Sequence, residues 1–418
     1  MGSGSALGDI STSFEQGSFE TTSSPTDLGI AGDGFFRLRE KSSQSIFYSR
    51  AGNFRFDKDG YMTNPEGYVV QGYKFDAAGN ETGTAADIKL DSFTVPPQAS
   101  EKISTILNID ADSNDNSSGA DDALATAWDG TATTPLADTA YAYQTSVQVY
   151  DSLGSTHDIT LYFDKADTAS ATEFLVTCNP GEDKRVGADP VDPTADAHAG
   201  LLARGLLEFT SAGAIKDMDM WQIDGDGAET ALDETADLTD GYFTFNADFI
   251  GNNAMNVKLD FGATSDGSHI DTSWTNDSLS TTQYAAASNI SFKSNDGYAT
   301  GDLQDINVDV DGVITGTFSN GQITSLYRIA LSDFQNNLGL HKKGGNLYEE
   351  TLESGNAITN KPGTKGLGNI APNSLEQSNV DISAEFVKMI TTQRGFQANS
   401  KIITVTDEML GQLINIKR

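Results

Sequence analysis

The chain contains few of the residues from which disulfides, metal sites and catalytic sites are built. Its 418 residues include one cysteine, Cys178, and only four histidines. A single cysteine excludes an internal disulfide and a multi-cysteine zinc site. The histidines do not recur at the spacing of a metal-ligand pair on a helix; they are His157, His198, His269 and His341. We therefore predict that the protein binds no metal and no cofactor.

Short motifs for catalysis or nucleotide binding are also missing. The glycine-rich segment 29–34 does not have the spacing of a dinucleotide-binding loop, and an apolar run typical of a strand follows it. The chain has no Walker loop and no Gly-x-Ser-x-Gly elbow. Residues 110–121 begin like a calcium loop, but the sixth position is Asp115, where that loop needs glycine. We predict that the chain is not an enzyme and has no catalytic residues.

Positive charge and long apolar runs are scarce as well. Lys and Arg number 26 against 60 Asp and Glu, which gives a net charge of −34. A surface of that sign repels nucleic acid and anionic lipid, so we expect neither as a partner. No run of about 18 apolar residues is present, and we expect no membrane insertion. The first residues lack the basic and apolar regions of a cleavable signal peptide.

The residues that are abundant favour β-structure. Glycine occurs 41 times, and Ser, Thr, Asn and Asp fill the segments between short apolar runs. Four of these runs place apolar side chains at every second position, which is typical of half-buried antiparallel strands. They are Val147–Val149, Ile159–Phe163, Phe243–Phe249 and Val257–Phe261. We predict a β-barrel or β-sandwich for this part of the chain.

The distribution of charge predicts the domain organisation. Residues 111–293 hold 31 acidic and 7 basic side chains, a net charge of −24. We predict that this stretch is an acidic outer domain inserted into a β-rich core domain. The core domain would consist of residues 1–110 and 294–373. In its second part, Asn320-Gly321 lies between two apolar runs and predicts a hairpin.

The last segment, 374–418, has a different pattern and predicts a long amphipathic helix. The sequence 378–381 supplies a capping start, and apolar residues then recur every seven positions with others three or four residues away. The members of this stripe are Ile382, Phe386, Met389, Phe396, Ile403, Leu410, Leu413 and Ile414. Such a helix needs a partner, which is another chain or a segment absent from this sequence. The alternative is a helix folded back onto a sheet.

Several motifs resemble those of the bacterial flagellar hook protein family. Segments 374–381, 385–390 and 393–399 are similar to the terminal-helix signature shared by rod, hook and hook-associated proteins. Segments 27–36 and 48–54 resemble the shared rod and hook core, and the residues that carry this likeness are Gly32, Gly34, Phe35, Phe36, Arg50, Gly52 and Phe54. The motif 147–154, followed by His157-Asp158, is similar to the outer domain of hook proteins.

This resemblance implies a structural subunit that polymerises into a curved, flexible tube and acts as a universal joint between motor and filament. In the family the terminal helices line the tube, the core domain forms its wall, and the outer domain makes sliding contacts. The implied partners are further copies of the chain, rod proteins, the hook cap, the hook–filament junction proteins and the flagellar export apparatus. The implied location is the hook, outside the cell, after export without a cleavable signal peptide.

Two features of the chain qualify the resemblance. Hook proteins begin with a helical segment that this sequence does not show, so we expect a truncated or alternative start. Some members crosslink neighbouring subunits through Cys and Lys side chains, and Cys178 with Lys165 or Lys184 is the candidate pair, although burial would make the thiol inert. The alternatives are a distal rod or hook-associated protein, or a secreted β-rich adhesin or binding module.

Overall fold

A computed structural model describes residues 12–76, 79–116, 121–166, 171–185, 196–251, 253–268 and 274–416. It confirms the predicted fold class, which is mainly β with one long C-terminal helix. The chain divides into two compact units. The first consists of Met1–Phe93, Leu303–Phe318 and Gln322–Arg418, and the second of Thr94–Asp302 and Ser319–Gly321.

The elements follow in chain order. The first eight strands are β1 Phe19–Thr21, β2 Leu28–Ala31, β3 Phe35–Arg39, β4 Ile46–Ser49, β5 Arg55–Phe56, β6 Met62–Thr63, β7 Val69–Phe75 and β8 Glu81–Asp87. Next are β9 Thr94–Val95, β10 Lys102–Asp110, α1 Ala123–Ala127, β11 Tyr143–Tyr150, β12 Thr156–Lys165, β13 Ala171–Thr177, β14 Leu201–Phe209, β15 Ile215–Ile223, β16 Glu229–Ala231, β17 Thr244–Ala247, β18 Met255–Asp260, β19 Ala263–Ser265, β20 Trp274–Asn276, β21 Thr282–Tyr284 and β22 Asn289–Asn295. The last are β23 Gly301–Val308, β24 Val313–Phe318, β25 Ile323–Ile329, β26 Leu331–Asp333, β27 His341–Gly344, β28 Leu347–Glu349, β29 Ile358–Asn360, β30 Asn369–Pro372, β31 Ser374–Glu376 and α2 Ile382–Ile416.

The first unit is built on a sheet with the strand order β27-β28-β4-β3-β7-β25-β24-β23. Strands β24 and β25 form the hairpin predicted at Asn320-Gly321, in which Gly321 has a φ of +81°. Such a left-handed residue suits a tight hairpin turn. Because β25 pairs with β7, the late hairpin extends a sheet begun near the start of the chain. Residues from both parts, including Phe36, Val70 and Ile329, share one buried core.

The second unit has two principal sheets around a common core. One is a six-stranded antiparallel sheet in the order β11 to β16, and the other has the order β17-β18-β10-β21 with β22 also paired to β10. The four predicted alternating runs place their apolar side chains in a single buried cluster with β10 residues such as Ile103 and Leu107. The two sheets therefore face each other across the core, as the period-two pattern predicts.

Two further points concern the whole chain. The second unit includes β10, which lies wholly outside 111–293, and β22, which continues beyond residue 293. The domain boundaries at 110/111, 293/294 and 373/374 stay predictions. No helix among the described residues has both the length and the apolarity needed to cross a membrane.

Candidate assembly surfaces

Helix α2 begins as the capping motif predicts. The carboxylate of Asp381 accepts hydrogen bonds from the backbone N–H groups of Ser383 at 2.8 Å and Ala384 at 3.3 Å. These bonds satisfy two of the N–H groups that a helix start leaves without intrahelical partners. The helix does not extend back to residue 374, because Ser374–Glu376 is β31 and pairs with β1.

The predicted apolar stripe lies exposed along α2. Its seven described side chains are each more than half exposed; they are Ile382, Phe386, Met389, Phe396, Ile403, Leu410 and Leu413. The backbone of Ile414 is helical, but its side chain lies outside the described residues. A row of large apolar side chains in water is unfavourable, so the helix presents a surface suited to a partner.

Helix α2 also carries a second apolar row, which the heptad stripe predicted from the sequence does not include. Val387 is 61% exposed, Ile402 64% and Met409 58%, and Val405 lies with them. At about 100° per residue, most of this row lies about 100° or more around the helix from the stripe, and only Leu413 of the stripe, four residues after Met409, shares its face. The apolar residues at 402, 405 and 409, three and four positions apart, could have indicated this second row from the sequence alone. The arrangement therefore offers two surfaces for partners.

The core motifs of the first unit converge on Arg50. Its Nε donates to the Glu376 carboxylate at 2.8 Å, Nη1 to the carbonyls of Gly32 and Gly34, and Nη2 to that of Ile30. One guanidinium thus joins the loop between β2 and β3 to β31, which lies five residues before α2. This geometry uses the fork of donors that only arginine provides.

Gly52 and Phe54 support the same region. A Cβ added to Gly52 would lie 1.8 Å from the carbonyl oxygen of Leu28, so only glycine fits there. Phe54 packs edge-on against Phe36, with ring centroids 5.0 Å apart. These motif residues therefore build the fold, and their assignment as the functional signature of a family stays a prediction.

Phe35, the remaining core-motif residue, belongs to an aromatic cluster. It is buried with Tyr48 and Phe334. Phe14, which precedes β1, packs against Phe35 at 5.6 Å and Tyr348 at 5.4 Å. The cluster ties the described start of the chain to the sheet of the first unit.

The structure places Cys178 and Lys165 far apart in one chain. Cys178 follows β13 and is buried, and this burial raises the pKa of its thiol. Lys165 pairs with Thr172 in the β12–β13 register, whereas Cys178 follows the pair Thr160–Thr177. Five residues of strand, roughly 16 Å, separate the two ends. A crosslink between Cys178 and Lys165 would therefore join two chains and would first need the thiol to become accessible.

His157 forms a cluster whose partners the sequence analysis did not predict. Its Nδ1 lies 2.8 Å from the Glu182 carboxylate and its Nε2 lies 3.2 Å from that of Asp151. The ring stacks on Phe249 at 4.0 Å. The contacts join three loops that are distant in sequence, which is why the motif alone could not show them.

Glu173 is a fully buried carboxyl group in the second unit. It accepts hydrogen bonds from the backbone N–H of Leu124 at the start of α1. Burial raises the pKa of Glu173 to about 7, although the hydrogen bond from Leu124 and the charge of Arg204 act in the opposite direction. The group therefore changes charge near neutral pH and couples the stability of this unit to pH.

Three family models match successive parts of the chain. The Flagellar hook protein FlgE/F/G D1 domain matches residues 29–112. The Flagellar basal body protein FlaE D2 domain matches residues 114–298. The Flagellar basal body rod FlgEFG protein C-terminal family matches residues 371–416 and so includes α2.

Similar proteins match the full length of the chain. The flagellar hook protein FlgE of Borreliella burgdorferi is 30% identical over 421 residues, which cover 100% of this chain and 85% of that protein. The FlgE proteins of Treponema pallidum and Escherichia coli are each 29% identical over 100% of this chain, covering 86% and 88% of their own lengths. The crystal structure of Helicobacter pylori flagellar hook protein FlgE2 aligns with 86% of this chain and 100% of that chain, at 17% identity and a TM-score of 0.49.

Proposed function

The chain belongs to the flagellar hook protein family and is a structural subunit of the hook, and from this premise we propose how its surfaces build the polymer. Identical copies assemble into a curved, flexible tube that acts as a universal joint and transmits torque from the rod to the filament. Helix α2 lies on the inside of the tube, the β-rich core domain forms the wall, and the acidic domain predicted at 111–293 makes the outer contacts.

The observation that carries this proposal is the pair of exposed apolar rows on α2. A two-helix seam needs one apolar stripe, whereas a helix with partners on both sides needs two. Copies packed around a tube axis supply neighbours on both sides of each helix. The stripe with Phe396 and the row with Ile402 would then both become buried on assembly.

The hydrogen bonds of Arg50 fit the proposed role of the first unit. A tube wall that transmits torque must be connected firmly to the helices inside it. Arg50 bonds the loop between β2 and β3 to Glu376, five residues before Asp381 caps the helix. The guanidinium therefore fixes the place at which α2 leaves the β-strands of the first unit.

The acidic charge suits the proposed outermost position. Residues 111–293 carry a net charge of −24. Like-charged surfaces resist aggregation and keep contacts between copies small and polar. Such contacts can break and reform as a curved tube rotates. We further propose export through the flagellum's own channel without a cleavable signal, with rod, hook-cap and hook–filament junction proteins as partners.

Immunogold electron microscopy with an antibody raised to residues 111–293 tests this proposal. We expect label confined to the short curved segment between basal body and filament. Label on the rod or at the filament junction would show that the chain is instead a distal rod or hook-associated protein. Label over the general cell surface would contradict assembly in the hook and favour an adhesin.

A further inference from the structure

A stretch of chain before β11 lies across the outer face of the six-stranded sheet. Leu124 and Trp128 form a small buried cluster with Leu175 of β13, separate from the main core of the second unit. Phe174 and Val176, the chain neighbours of Leu175, belong to the main core, so Leu175 lies on the opposite face of the sheet. Residues 121–142, which we call the strap, therefore cover that outer face.

The strap is attached to the sheet without forming part of it. Trp128 Nε1 donates a hydrogen bond to the Ala199 carbonyl at 3.1 Å, and Tyr141 packs on Tyr162 of β12 with ring centroids 4.9 Å apart. The described residues 121–142 form the five-residue helix α1 and supply no strand to this sheet. The strap can therefore detach while the hydrogen bonds between the strands stay intact.

Two buried carboxyl groups lie side by side on the same face of the sheet. Asp164 of β12 and Glu173 of β13 are directly opposite each other in the antiparallel register, and their exposed fractions are 1% and 0%. The backbone N–H of Leu124 in α1 donates to the two carboxylate oxygens of Glu173 at 3.2 and 3.1 Å, so the strap closes the site over Glu173. Like charges at opposed positions of neighbouring strands repel each other, and burial keeps away the water that would screen them.

The charged groups around Glu173 are mostly acidic. They are Asp122 at the start of α1, Asp164 of β12, Arg204 and Glu208 of β14, and Glu229 of β16. Arg204 is shared, because its Nε and Nη2 donate to the Glu229 carboxylate at 2.9 and 2.8 Å. Glu208 is paired with Lys216 at 2.9 Å. The positive charge near Glu173 is therefore already engaged by another carboxylate.

The protonated form of Glu173 fits this closed site better than the ionised form. Burial raises the pKa of Glu173 to about 7, although the Leu124 N–H and Arg204 act in the opposite direction. The charges of Asp122 and Asp164 act in the same direction as burial. Once water reaches the carboxyl group, its pKa returns toward the ordinary value of 4.5. The contribution of Glu173 to strap attachment is therefore fully present below about pH 4.5 and is lost as the pH rises through 7.

We propose that the strap is a pH-sensitive cover, which is held on the sheet while Glu173 is protonated and whose opening is favoured when this carboxyl group ionises. Opening lets water reach the carboxylate and leaves the six strands paired. It also uncovers the apolar side chains of Leu175, Leu201 and Ile223, which cluster with the strap. The device belongs to the second unit alone and does not depend on the proposed function.

Hydrogen exchange of the full chain at pH 6 and pH 8, with rates corrected for the intrinsic effect of pH, tests this cover. The amides of Thr126 and Trp128, which are hydrogen-bonded within the strap, should lose about tenfold in protection between the two pH values. The amides of β13 should keep their protection. Glu173→Gln should make strap protection independent of pH. Glu208→Gln, on the same sheet face but paired with Lys216, should behave like the wild type.

Three results would overturn the proposal. They are equal protection of the strap at both pH values, the same loss of protection in Glu173→Gln, and a parallel loss in β13, which would indicate unfolding of the whole unit. If Glu173→Gln does not fold, Glu173→Met is the second variant, because it is uncharged and similar in length, and it should also remove the pH dependence. The measurement uses the unassembled chain, so each of these results leaves the hook assignment in place.

Discussion

At the scale of single residues, Arg50 shows how one side chain can join distant parts of a sequence. Its hydrogen bonds reach a carboxylate 326 residues away as well as three nearby carbonyls. Side-chain hydrogen bonds that involve a charged group contribute more than neutral ones, and an unpaired buried partner is costly. Arg50 is therefore important for the stability of the first unit.

Arg50→Gln should destabilise the first unit by about 2–4 kcal/mol, because Glu376 and several carbonyls would lose their donors. Calorimetric or urea unfolding of the full chain measures this as a lowered transition of that unit. Arg55→Gln is the matched control, since Arg55 is exposed, and it should change stability by less than about 0.5 kcal/mol. Equal effects of the two substitutions would contradict the role given to Arg50.

Glu173 provides a pH-dependent prediction for the second unit. Its folded-state pKa of about 7 lies above the ordinary value of 4.5, mainly because of burial. Its contribution to stability is thus fully present below about pH 4.5 and is lost as the pH rises through 7. Glu173→Gln keeps an acceptor for the Leu124 N–H but cannot ionise. The variant should therefore be more stable than the wild type at pH 8, by up to about 3 kcal/mol.

Thermal unfolding between pH 5 and pH 8 measures this difference. The wild-type second unit should lose stability across that range, and Glu173→Gln should lose much less. Glu101→Gln, at an exposed position, is expected to follow the wild type. A wild-type stability profile as flat as that of Glu173→Gln would show that folding does not raise the pKa of the buried carboxyl, and would contradict this prediction.

At the scale of elements, regular patterns were predictable from the sequence and contacts between distant loops were not. The alternating runs that became β12 and β18 are local signals, because a strand with one buried face must repeat every two residues. Asn320-Gly321 likewise specifies its hairpin locally. The cluster around His157 depends on Glu182 and Phe249, whose proximity follows from the fold of three loops, so no spacing could indicate it.

The sequence predicted that helix α2 exists, where it begins and which residues form its stripe. It predicted only part of the apolar surface of the helix. A seven-residue repeat draws attention to one row of side chains. The second row, with Ile402 and Met409, appears only when every apolar position is placed at about 100° per residue. The difference matters because it changes the expected number of partner surfaces from one to two.

The exposed state of α2 predicts weak protection from amide exchange in the monomer. A single helix in water is marginal, because most helical stability comes from tertiary packing. Amides from 382 to 413 should exchange far faster than those of the buried strand β13, and assembled hooks should protect them. Hydrogen exchange with mass spectrometry measures both states. Equal protection of α2 and β13 in the monomer would contradict this prediction.

At the scale of the whole molecule, charge and apolar surface are divided between different parts of the chain. The acidic stretch 111–293 carries most of the net charge of −34. Among the described residues, α2 carries the longest run of exposed apolar side chains. A copy can therefore be repelled from its neighbours over most of one unit while its terminal helix still favours association. Assembly should depend on α2 far more than on the acidic surface.

Substitutions on three faces of α2 test how many partners the helix has. Phe396→Asp with Ile403→Asp places charge on the stripe, and Ile402→Asp with Met409→Asp places it on the second row. Gln397→Asp with Thr404→Asp is the control on an exposed polar face. The first two pairs should abolish hook formation while both β-units keep their unfolding transitions, since a charge buried between helices is strongly unfavourable. The control pair should form hooks. Hooks of normal number and length from the Ile402 and Met409 pair would show that α2 uses only the stripe, and the tube interior would then consist of paired helices rather than helices packed on both sides.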